Sequence, residues 1–240
     1  NWAVAFLSIM THGAIPVPLL HEFKSANIHH LVNHSEAKIL FVDEVIWEGL
    51  SESEMPDLHA IIQVNNFKIL YANDEHIVEA KAHLNELFGR KYPEAFTADC
   101  INYYEDSAEE LAVINYTSGT SGFSKGVMIP YRAIFSNIEF GRTVLPGLNN
   151  THSVVSMLPC AHMYGLMFEL LYELSVGAHV HFLGTIAVQE IHSLPQLGAP
   201  DDGIVDQHQL FAFDQLRHGD LLHFGDNVAH LLVGGHEGPG

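Results

Sequence analysis

Short apolar runs separated by stretches of helical pattern recur along most of the chain, and this alternation limits the possible folds more than any other feature. The runs are AIPVPL, KILFVD, AIIQV, KILY, ELAVINYTSG, KGVMIPY, SVVSML and AHVHFL. Between them, Trp2 to His12 has helical spacing and is stopped by Gly13. Lys24 to Glu36 places Ile28, Leu31 and Val32 on one helical face,. A polar helix is expected from about Asp74 to Phe88, another over Arg132 to Val144, and a third over MYGLMFELLYEL. Strands fed by helices at this spacing form βαβ units, so the expected fold class is α/β with largely parallel sheets. Residues 89–108 are less regular and read as a link between two α/β lobes. The sequence shows no internal repeat or low-complexity tract.

Glycines and hydroxyls crowd around one lysine in INYTSGTSGFSKGVMIP, Ile114 to Pro130. Thr117, Ser118, Thr120, Ser121 and Ser124 supply hydroxyl groups. Gly119, Gly122 and Gly126 let the backbone approach a ligand closely. Lys125 adds a point charge. Hydroxyls and backbone N–H groups can wrap phosphate oxygens while the ammonium offsets their charge, so the loop suits a polyphosphate. It is not a P-loop, because Lys125 is followed by Gly126 and an extended run, where a P-loop has Ser or Thr opening a helix. On composition alone it could be a flexible linker. The tightly flanking strands weigh against that.

Charge removes other classes. Ten basic against 29 acidic residues give a net charge of −19, a field that repels nucleic acids and anionic membranes,. Cys100 and Cys160 form no C-x-x-C pair, so neither a disulfide framework nor a thiolate zinc site is suggested, and a reducing cytoplasm is expected,. The longest apolar run, WAVAFLSIM, is too short to span a bilayer,. His29 and His30 point to opposite sides of a helix, which disfavours a metal site there. The chain starts without Met inside a helical pattern, and a piece of a longer protein is expected.

YTSGTSGFSKG resembles the phosphate loop of the adenylate-forming (AMP-binding) superfamily, whose usual form is Y-T-S-G-T-T-G-x-P-K-G. Ser121 replaces the second threonine and keeps a hydroxyl, and Ser124 replaces a rigid proline. Downstream, SMLPCAHMYGLMFELLYELSVGAHVHFLG is similar to the family's P-x-x-H-x-x-G segment. Upstream, GAIPVPLLHEFKSANIHHLVNHSEAKILFVDE resembles its early G-A-x-x-V-P-L segment. The wording is nearest to long-chain fatty acyl-CoA synthetases. The resemblance implies part of the large N-terminal adenylation domain over residues 1–186, with ATP, Mg²⁺ and coenzyme A as cofactor and co-substrates and a fatty acid as the acid. It also implies roles for individual residues. Thr117 would help hold Mg²⁺. Ser118, Gly119, Thr120, Ser121 and Gly122 would cradle the β- and γ-phosphates, Lys125 would contact phosphate, and His162 would face the acyl carboxylate or gate its tunnel. Taken alone, His162 is one of 18 histidines, and a histidine at a helix start is an ordinary structural residue.

After about Ile186 the pattern stops. Residues 187–240 carry six histidines at His192, His208, His218, His223, His230 and His236, and no lysine. Their spacings match no ligand set, and the family's Y-G-x-T-E motif is missing, so this stretch reads as an atypical tail. The preferred function is the front part of an AMP-forming acid–thiol ligase acting on a fatty acid; the alternatives are a nucleotide-binding or scaffolding remnant without catalysis, or an adenylation domain for another carboxylate.

Overall fold

The computed structural model describes residues 1–117, 124–182 and 210–214. The chain forms two compact units, Asn1–Tyr131 with Gln209–Gly240, and Arg132–His208.

In the first unit, α1 (Trp2–Thr11) leads to β1 (Ile15–Leu19), α2 (Ser25–His34), β2 (Ile39–Val42) and the short α3 (Glu44–Trp47). Then follow β3 (Ala60–Gln63), β4 (Ile69–Ala72), α4 (Glu75–Ala82), α5 (Leu84–Lys91), β5 (Leu111–Thr117) and β6 (Lys125–Pro130). The second unit holds the rest of α6 (Tyr131–Val144), then β7 (Ser153–Ser156), α7 (Met163–Leu166), a π-helical turn (Met167–Leu171), α8 (Tyr172–Ser175) and β8 (His179–Phe182). A last strand, β9 (Leu210–Asp214), belongs to the first unit.

The α/β class holds, with mixed rather than uniform pairing. The main sheet runs β1-β9-β2-β3-β4. In it β2 and β3 are parallel, while β9 is antiparallel to both its neighbours and β4 is antiparallel to β3. β7 and β8 form a second parallel pair, and β5 and β6 an antiparallel hairpin. All four residues of β2 are buried, as expected of a central strand covered on both faces,. Leu40 and Val42 join Ile28, Leu31 and Val32 of α2 in one apolar cluster, confirming the expected buried face of that helix. On the opposite face Phe41 meets Phe67 edge-on, with ring centroids 6.1 Å apart. Each such side chain stabilises the unit by about 1.5–3 kcal/mol.

Helix ends follow local chemistry. Gly13 stops α1 with φ +84°, and its N–H and that of Ala14 bond to the carbonyls of Met10 and Ile9,. α2 stops earlier than its apolar spacing suggests because Glu36 takes the left-handed conformation, φ 56°, more often filled by glycine,. The polar helix expected over 74–88 is two helices. Asp74 caps α4 by accepting from the His76 N–H, and His83 leaves helical geometry between α4 and α5. The boundary between units falls at Tyr131/Arg132, and residues 89–108 lie within the first unit. Tyr104 fastens that irregular stretch: its N–H bonds to the Thr11 carbonyl and its ring fills the space beside Gly13. Among the described residues no helix is long and apolar enough to cross a membrane.

Candidate functional site

The hairpin β5–β6 has a register that pairs Thr117 with Lys125 and Tyr116 with Gly126. Thr117 and Lys125 therefore stand opposite each other at the open end of the ladder, where the Gly/Ser/Thr loop leaves and returns. Cross-strand partners share a face with Cβ atoms about 5 Å apart. Both residues are exposed, so an alcohol and an ammonium sit together at the mouth of the hairpin facing solvent. Ser118, Gly119, Thr120, Ser121 and Gly122 lie outside the described residues.

Tyr116 points the other way, into the core, because successive strand side chains leave on opposite faces,. Its ring lies across Gly126, where a Cβ would come 3.1 Å from ring atom Cε1. Its hydroxyl shares a 2.7 Å hydrogen bond with His34 Nδ1 at the end of α2. Burial raises the Tyr116 phenol above its ordinary value, keeping it protonated. The loop root is thus tied to α2 through a contact 82 residues apart in sequence. Sequence reasoning missed His34, and nothing local marks it.

His162 lies in the second unit, directly before α7. It is exposed, and its Nδ1 accepts a hydrogen bond from the Tyr164 N–H at 3.2 Å. That contact puts the proton of the neutral ring on Nε2, leaving Nε2–H as an outward donor. The motif around it has a mechanical reading. The Pro159 carbonyl accepts from the His162 N–H at 2.8 Å and lies so close to Gly165 that a Cβ there would be 2.6 Å from the oxygen. Only a residue without a side chain lets the loop cross the helix at this point.

One turn further on, Glu169 holds the start of the same loop, and sequence reasoning missed it too. Its Oε2 accepts from the Ser156 hydroxyl at 3.1 Å and from the N–H groups of Met157 and Leu158 at 2.7 and 2.8 Å. Glu173 lies nearby and is 2 % exposed, and its Oε2 has no hydrogen-bond partner among the described residues. Burial pushes its carboxyl above the ordinary value, and the Glu169 charge adds in the same direction.

A polyphosphate fits the chemistry of Thr117 and Lys125, a donor and a cation with no acid from their own strands on the same face. Thr117 offers Mg²⁺ one hydroxyl oxygen. Among the described residues no group of three His, Cys, Asp or Glu could hold a metal.

The sequence model described as AMP-binding enzyme matches residues 1–195. Human long-chain-fatty-acid–CoA ligase 1 is 28% identical over 194 residues, covering 76% of this chain and 26% of that protein. Long chain acyl-CoA synthetase 1 of Arabidopsis thaliana is 28% identical over 179 residues, covering 70% and 26%. The chain therefore spans about a quarter of the length of these curated relatives. Among solved structures, ATP-bound MatB from Rhodopseudomonas palustris superposes with a TM-score of 0.62 at 19% identity, covering 81% of this chain and 35% of that one.

Proposed function

Because the chain belongs to the AMP-binding enzyme family, we propose that the protein carrying it uses ATP to activate a fatty acid and passes the acyl group to coenzyme A. A carboxylate oxygen bonds to the α-phosphorus of ATP as the bond to pyrophosphate breaks, giving an acyl-adenylate. A thiol sulfur then attacks the acyl carbon, AMP leaves, and the thiol proton passes to solvent. The first step brings two anions together, which water alone does not favour. Lys125 offsets that repulsion as a cation beside the phosphates, and the Thr117 hydroxyl orients a phosphate oxygen or the metal bound to it. Mg²⁺, when bound, would draw charge from the phosphate oxygens. By motif position, Ser118 to Gly122 supply the remaining phosphate donors. His162 donates from Nε2 to the acid and brings no competing negative charge.

The observation that carries this reading is the pairing of Thr117 with Lys125 at the mouth of the hairpin. Fatty acid is favoured over amino acid because the two relatives named above are, by their names, long-chain enzymes. An amino-acid site also needs a carboxylate for the substrate ammonium near this segment, and CAHMYG supplies none.

The test has two arms. Mg-ATP at 100 times its Kd should stabilise the chain against unfolding by about 2.7 kcal/mol, and Lys125→Ala should remove most of that gain. In the whole protein, fatty acids should drive exchange of pyrophosphate into ATP. Equal protection of wild type and Lys125→Ala would refute the role of the lysine, and exchange driven by amino acids alone would refute the substrate.

A further inference from the structure

We propose that Glu169 is a positioning residue, its carboxylate fixing the segment from Ser156 to His162 and so the placement of the His162 imidazole at the start of α7; this rests on the reading of His162 as the group that meets the acid.

The geometry runs without a gap from one residue to the other. β7 ends at Ser156, and beyond it Met157 and Leu158 have no strand partner for their N–H groups. Glu169 Oε2 takes both, together with the Ser156 hydroxyl, so one side-chain oxygen replaces the missing ladder. Hydrogen bonds to a charged acceptor are about twice as strong as neutral ones, and two of these are short. The next residue, Pro159, is fixed by its carbonyl against Gly165 and by the His162 N–H. Cys160 and Ala161 are buried, which leaves the stretch little room to rearrange. His162 then caps the helix through Nδ1. Gly165 and Glu169 are four apart, on one face of the helical run, and both grip the loop that delivers His162. A loosened Glu169 would free the segment at its upstream end and let the imidazole wander from its capped position.

The π-helical turn is part of the arrangement. Met167–Leu171 widens the helix at the level of Glu169. π-turns of this kind occur at functional sites more often than elsewhere. Beyond it Tyr172 anchors the helix, its hydroxyl donating to the Leu145 carbonyl at 2.8 Å and its ring lying over Gly141.

The experiment compares Glu169→Met, which keeps side-chain volume and loses both oxygens, with Glu169→Gln, which keeps an oxygen acceptor. In the whole protein, acid-dependent exchange of pyrophosphate into ATP is measured against acid and ATP concentration, and hydrogen exchange is followed at the amides of Met157 and Leu158. Glu169→Met should lower kcat/KM for the acid about tenfold while leaving KM for ATP within about twofold. It should also speed exchange at the two amides, about tenfold for one lost hydrogen bond. Glu169→Gln should restore both readouts to within about threefold of wild type. The proposal is overturned if Glu169→Met impairs ATP and acid alike, if the amides loosen while acid kinetics hold, or if Glu169→Gln fails as badly as Glu169→Met. Should Glu169→Met not fold, Ser156→Ala removes one donor and leaves the carboxylate, with a rise of about threefold in KM for the acid expected and none for ATP; no rise overturns the proposal. Absence of exchange in the wild type with any carboxylic acid overturns the functional reading itself and the proposal with it.

Discussion

Replacing Gly165 with alanine tests whether the loop-on-helix crossing is as tight as the structure has it. Alanine normally stabilises a helix relative to glycine by about 1 kcal/mol. Here the new Cβ would lie 2.6 Å from the Pro159 oxygen, 3.2 Å from its carbonyl carbon and 3.3 Å from Leu158 Cβ. Ordinary contact starts at 3.4 Å, so the carbonyl would have to retreat by the difference between 2.6 and 3.4 Å, about 0.8 Å,. That oxygen also accepts the His162 N–H at 2.8 Å, and the retreat stretches the bond. Overpacking costs about 1–3 kcal/mol and the weakened hydrogen bond about 1 kcal/mol. Set against the helix gain, the net is a loss of about 2 kcal/mol. Gly89 is the control: it lies in α5 with nothing within 4 Å of a built Cβ. Gly89→Ala should therefore stabilise by about 0.5–1 kcal/mol. Urea titrations read both, with the shift in midpoint taken at constant m. Both tryptophans, Trp2 and Trp47, lie in the first unit and report on Gly89, while far-ultraviolet circular dichroism follows the helices of both units, including those around Gly165. If Gly165→Ala raised the midpoint as Gly89→Ala does, the close crossing and the account of H-x-x-G built on it would be wrong.

Two further outcomes follow from buried groups in the second unit. The Glu173 carboxyl is raised above its ordinary value of 4.5 by burial first and by Glu169 after it, so the folded state binds its proton more tightly than the unfolded state. Its contribution to stability is fully present below 4.5 and is lost as pH rises through the folded value. Glu173→Gln should flatten that fall and stabilise the unit at neutral pH. A stability–pH curve unchanged by the substitution would contradict the shift. Burial pushes the Cys160 thiol up to about 12, with a Ser156 hydrogen bond opposing, so at pH 8 only about one thiol in 10⁴ is ionised. Mass spectrometry after brief alkylation should find Cys100, which is partly exposed, modified and Cys160 intact until the chain is unfolded.

What the sequence made legible depended on how local the cause was. Gly13 ends α1 because the residue itself supplies the left-handed turn, and Thr117 faces Lys125 because a returning strand was visible on both sides of the loop. The placement of β9 between β1 and β2 was not legible. Strand order in a sheet is set by tertiary packing, and Leu210–Asp214 lies about 170 residues beyond β2,. His34 was hidden for the same reason, since its partner Tyr116 is 82 positions away. The remainder of residues 187–240, read as an atypical tail, lies outside the described residues, as do Ser118 to Gly122.

The P-x-x-H-x-x-G segment shows how a motif can be recognised before its cause is understood. Its histidine draws attention as chemistry, yet the structure first gives it a capping task, with Nδ1 accepting from Tyr164 and Nε2 turned outward. The cap and the proposed chemistry do not compete, because they use opposite nitrogens of one ring. Capping fixes the tautomer that makes Nε2 a donor, and a donor is what an incoming carboxylate requires. The proline carbonyl and the glycine then set where the ring stands, and Glu169 sets where that carbonyl stands. A residue two turns along the helix from the histidine thus bears on its placement as directly as the residues inside the motif. A search for reactive chemistry near the histidine would pass it over, since its own task is to accept hydrogen bonds from two backbone N–H groups and the Ser156 hydroxyl.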